Sequence, residues 1–138
     1  MKTTKRVIGA SLLAIAIMSP PLAPSFAQTS DASAGAAAKM YDACVGNKMG
    51  AKMECACVTG FFAGHLKEDE FRIMAVISPF IDAKGNVADM TGAQKAAFAE
   101  RDAMGLSATR FQEVMTLFSN LGPVGDGADK ACAVVRSR

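Results

Sequence analysis

The chain has no tryptophan, one tyrosine and one histidine among its 138 residues. Absent tryptophan and a single tyrosine suit a plain aliphatic and Phe/Met core better than a surface that stacks a sugar ring or a nucleobase. A lone histidine, His65, cannot complete a His-Glu-x-x-His zinc site, and no Gly-x-Ser-x-Gly nucleophile elbow occurs. β-Branched residues never alternate with polar ones over a useful length, which argues against a sheet. No internal repeat is visible. What remains is rich in alanine, with a core supply of aliphatic residues, eight Phe and nine Met. That composition predicts an all-α fold, a small single-domain bundle of about five to six short helices.

Charge is also missing where a nucleic-acid or membrane-surface protein would carry it. Lys2, Lys5 and Arg6 precede an uncharged apolar stretch, Val7–Met18, and Pro20, Pro21 and Pro24 follow. A span needs about 20 apolar residues, so this core is too short for one. With small residues at Ser25 and Ala27, residues 1–27 read as a signal peptide cleaved before Gln28. No cysteine stands at that site to carry a lipid anchor. The whole chain has 15 Lys and Arg against 13 Asp and Glu, and three of the basic residues belong to the leader. The mature chain is therefore left with 12 against 13, a formal charge of −1. The sequence pI of 8.4 includes the discarded segment. No basic footprint for nucleic acid is left. The one dense acidic stretch, Glu68-Asp69-Glu70, reads as a solvated helix start rather than a metal site.

Residues 28–138 suffice for one core. Residues 28–35 read as a flexible leader and 36–138 as the helical domain. The periodicity predicts a first helix over about 36–48 and a second over about 52–67. A third starts near Asp69 and bends at Pro79, and Asp82–Asn86 forms a turn. Thr91 and Gln94 have capping-box spacing for a fourth helix ending at Gly105. Ser107 is the expected N-cap of a fifth, with Phe111, Val114, Met115, Phe118 and Leu121 on one face. Gly122-Pro123 is expected to end that helix, and Gly122–Gly127 reads as a loop, since it lacks the Lys-Ser/Thr of a phosphate cradle. A short last helix over about 126–135 carries Cys132.

Behind the leader stand four cysteines: Cys44, Cys55, Cys57 and Cys132. Helical neighbours lie about 100° apart, so Cys55 and Cys57 differ by about 200° around the second helix. That disfavours a bond between them and predicts two disulfides to different neighbours. One joins Cys44 to Cys55 or Cys57, and the other joins the remaining member to Cys132. Spacing alone does not choose; Cys44–Cys57 with Cys55–Cys132 is the preferred pairing. Such bonds belong to an oxidising compartment.

The second helix carries a face of small residues, Ala56, Gly60 and Gly64. Two helical glycines cost about 1 kcal/mol each. Close approach of another helix, the first, is the expected reason; the functional alternative is a groove made with Phe61, Phe62 and His65. His65, near the helix end, reads as an exposed or capping residue, because no nucleophile or oriented acid accompanies it.

The expected function is that of a small periplasmic or secreted protein that is not an enzyme, needs no cofactor and binds another protein, or itself as a homodimer. Surplus Phe and Met would extend beyond the core to a partner surface. In size, export and helical make-up the chain is similar to periplasmic acid-stress chaperones and to immunity proteins of type VI secretion toxins, a likeness of architecture only. The alternatives are a small-ligand or copper carrier built from the Cys/Met/His set and, third, a thiol–disulfide redox protein.

Overall fold

In the computed structural model, which describes residues 31–136, the chain is all helical apart from turns and one isolated bridge. The helices are α1 (Asp31–Gly46), α2 (Lys52–His65), α3 (Glu68–Ile77), α4 (Met90–Met104), α5 (Ala108–Ser119) and α6 (Gly122–Arg136), with a 3₁₀ turn, Ser78–Phe80, after α3. The expected signal peptide, residues 1–27, lies outside the described residues.

Helix α3 is ten residues long and has two apolar stripes. Phe71 and Ala75, one turn apart, face Met40 and Ala36 of α1, Phe62 of α2 and Ala128 of α6. Ile73 and Ile77, rotated by about 200° from the first pair, face Ala97 of α4 and Phe111 and Val114 of α5. One short helix therefore separates two small cores. A bend at Pro79 was expected; instead the helix ends at Ile77 and Pro79 lies inside the 3₁₀ turn.

Helix α2 is tied on both sides. Cys55 bonds to Cys44 of α1 and Cys57 to Cys132 of α6, with Cα atoms 5.7 and 5.9 Å apart. Two bridges from opposite faces were expected; the preferred pairing was the wrong one of the two. The reason lies in the helix. Cys55 shares its buried face with Thr59 and Phe62 at i+4 and i+7, and that face meets α1 and α3. Cys57 shares its face with Phe61, which meets α6.

Three local expectations are corrected. Residues 31–35, expected in the flexible leader, form the first turns of α1. The N-cap of α4 is Asp89, whose carboxylate accepts from Gly92 N–H at 2.9 Å, rather than Thr91. Gly122–Gly127 is not a loop but the start of α6. Proline is tolerated in a first turn, where its missing N–H has no helical partner anyway. Gly125 N–H donates to Leu121 O at 2.8 Å as the helix begins. Ser107, by contrast, caps α5 as expected, accepting from Arg110 N–H.

Two predictions follow from this frame. The bridges close segments of 11 and 75 residues, contributing about 3 and about 4.5 kcal/mol in the chain-entropy description. Chemical denaturation should therefore show a larger loss for Cys57→Ala/Cys132→Ala than for Cys44→Ala/Cys55→Ala. Thr59 is buried on α2, and its Oγ1 has no hydrogen-bond partner. Thr59→Val should raise stability by about 1 kcal/mol in the same assay, because it removes an unsatisfied hydroxyl.

Candidate functional site

The residues singled out on α2 do not converge. Phe62 is buried in the first core. Phe61 turns towards α6, edge-on to Phe62 at 6.1 Å and stacked on His65 at 3.8 Å. His65 is exposed at the end of α2, its Nδ1–H donating to Phe61 O at 2.8 Å, which is the capping arrangement. Ala56, Gly60 and Gly64 lie exposed, and no atom of another element approaches where a Cβ would stand on either glycine. The expected contact of α1 with that face is thus absent. Close approach occurs instead at Gly127 of α6, where a Cβ would lie 2.9 Å from Phe61 Cζ. Glycine is needed there, on a helix whose start reads as a loop in the sequence.

With all four cysteines bonded, no sulfur is present as a thiol. The cysteines of the Cys/Met/His set considered for a copper carrier therefore offer no thiolate, and among the described residues no group of three or more His, Cys, Asp or Glu is placed to hold a metal ion.

A different site forms at the far end of α3. Met74 and Ile77 end the helix, and the chain then makes a small hairpin in which Ile81 and Val87 pair in an isolated antiparallel bridge. Asp82 Oδ1 accepts from the N–H groups of Lys84 and Asn86 at 2.8 and 2.9 Å, and these bonds hold its carboxyl below the usual carboxylate range, the Asn86 bond most. Gly85 supplies the left-handed residue, with φ of 82°. From the end of α1, Asn47 Nδ2 donates to Ile81 O at 2.7 Å and fixes the hairpin. Met90, Ala93 and Gln94 at i, i+3 and i+4 of α4 make one wall; Met115, Phe118 and Ser119 of α5, with Leu121, make the other. Together they enclose a groove of about 340 Å³. No ionisable side chain lines it. Its chemistry is that of burying apolar groups, and three of its residues are methionines, whose flexible thioethers adapt to irregular shapes.

Each wall helix is tied to α3 by ion pairs. Arg110, in the first turn of α5, donates to Asp69 from Nε at 2.6 Å and from Nη2 at 2.9 Å, and to Glu70 Oε1 at 2.8 Å. Glu70 is buried, and its other oxygen accepts from Lys67 N–H at 2.9 Å, closing the start of α3. Glu113 also contacts Arg110, at 3.1 Å. Between α3 and α4, Arg72 donates to Glu100 at 2.7 Å. The acidic stretch expected to be a solvated helix start is thus a set of inter-helix anchors. The starts of α3 and α5 meet at these ion pairs and their ends meet at the groove, so the two helices run the same way.

The comparisons with known proteins find no matching family model, and no curated protein or solved structure is significantly similar to the chain.

The anchor predicts a pH dependence. The Arg110 hydrogen bond, followed by smaller contributions from backbone N–H groups, lowers the pKa of Asp69, while partial burial opposes it. A carboxylate depressed in the folded state stabilises the protein above its unfolded value of about 3.9, and the contribution is lost as pH falls through the folded value. Arg110→Ala should cost about 1 kcal/mol at pH 7, and the difference from the parent chain should shrink as pH falls through the lowered Asp69 value, as followed by circular dichroism during urea titration.

Proposed function

We propose that this protein acts outside the cytoplasm as a non-enzymatic binding module, its methionine-lined groove receiving apolar side chains of a partner protein. The observation that carries the reading is the groove itself: it is apolar, free of ionisable groups and open at Met90 and Val87, both exposed large hydrophobic residues. A site without a nucleophile, base or metal-ligand cluster suits recognition better than catalysis. Its volume is near the lower end of small-molecule pockets, which matches one or two aliphatic or aromatic anchors of a polypeptide. Export is supported by the leader at 1–27 and by two disulfides, which persist in oxidising compartments. No described helix is long and apolar enough to cross a membrane.

The groove also favours a second reading, a carrier of a small apolar ligand, since nothing in its lining discriminates a side chain from a free molecule.

The test uses the full chain expressed in a secreting bacterial host. A photo-reactive phenylalanine replaces Val87 at the groove mouth or, as control, Ala63 on the exposed side of α2. The expected result is a discrete protein adduct from position 87, absent from position 63, and lost when Met90→Glu is added. Equal adducts from both positions, or none from either, would overturn the reading. N-terminal sequencing of the same material should begin at Gln28.

A further inference from the structure

We propose that Met90 is a sulfoxidation site whose modification closes the groove to apolar ligands. The inference rests on the groove reading above for its biological consequence, but the chemistry stands on exposure and position. All four cysteines are in disulfides, so the thioethers are the sulfur atoms that a two-electron oxidant meets first. Their exposure is graded: Met53 and Met90 are 63% and 57% exposed, Met49 38% and Met40 only 7%. Of these four, Met90 is the one that lines the groove. Met53, in the first turn of α2, is as open to solvent and lies away from it.

The reaction needs an oxidant of the peroxide class. A sulfur lone pair attacks one peroxide oxygen, the O–O bond breaks, an S–O bond forms, and the proton of the attacked oxygen passes through solvent to the departing hydroxide, which leaves as water. The sulfur is oxidised by two electrons and the peroxide is reduced by two. A flexible apolar side chain becomes a strong dipole. The groove offers little to satisfy that dipole, since its polar side chains are Gln94 and Ser119. An apolar occupant would strip water from the sulfoxide without replacing its hydrogen bonds, so binding weakens. Met74 on the floor and Met115 on a wall, both half-buried, would react later.

The full chain without its leader is titrated with limiting hydrogen peroxide. Peptide masses give the conversion of each methionine, and the fluorescence of N-phenyl-1-naphthylamine, a neutral apolar dye, reports the groove. Met90 and Met53 should convert first and Met40 last. Dye affinity should fall about tenfold in step with Met90. Met90→Leu should keep full binding through the titration, Met53→Leu should behave like the parent chain, and Met90→Gln should bind weakly without oxidant. Complete conversion of Met90 with unchanged dye binding, or Met90 reacting no faster than Met40, would overturn the proposal. The two readings fail separately. Adducts at position 87 that persist after Met90 is oxidised would sink this one and leave the docking reading intact. A dye response to Met90 with no protein adduct at position 87 would do the reverse.

Discussion

Cys55 and Cys57 leave α2 in opposite directions, and the rest of the molecule is arranged around that divergence. One bond fixes α1 and the other fixes α6, so three helices form a covalent frame before any apolar contact is counted. Phe71 and Ala75 of α3 then close the first core against that frame. Everything beyond α3 is held differently. Helices α4 and α5 carry no disulfide and depend on a second small core and on ion pairs from Arg72 and Arg110. The molecule is thus cross-linked on one side of α3 and held by non-covalent contacts alone on the other.

The groove lies on the latter side. Its floor is the end of α3, and both its walls belong to the helices without cross-links. For the proposed binding role, adaptable walls on a fixed base are an advantage, since ordering a loose site costs affinity while an entirely rigid one accepts few shapes. Methionine suits such walls. The hairpin at 81–87 completes the site and is fastened back to the covalent frame by Asn47, so the floor and the mouth share one reference.

Much of this was legible from the residues. Helical class, the stop at Gly105, the cap at Ser107 and the opposed cysteines all follow from local rules that the tertiary structure leaves undisturbed. Failures occurred where two local signals compete. Thr91 with Gln94 looked like a capping box, yet Asp89 two residues earlier offers a better acceptor and takes the position. Gly-Pro in GPVGDG signals a helix end as strongly as a helix start, and the register of Cys132 and Gly127 against α2 decides for the start. The disulfide pairing was decided by which face of α2 is buried, which needed Thr59 and Phe62 to be read together with Cys55. The groove was beyond local reading. Met74, Met90 and Met115 come from three helices, and each alone has ordinary core spacing. The small-residue face of α2 misled in the other direction, since glycines that nothing touches resemble glycines at a helix contact.

The unequal spans of the two bridges bear on how the chain is made. Polypeptides are made amino end first, so Cys44, Cys55 and Cys57 are in place while Cys132 is still to come. In that interval Cys57 competes with Cys55 for the same partner, separated from it by one residue. The native arrangement lets the earliest bond, across 11 residues, be the lasting one, provided α2 has begun to coil and turned Cys57 away. Cys132, the last of the four to emerge, then finds a single waiting thiol.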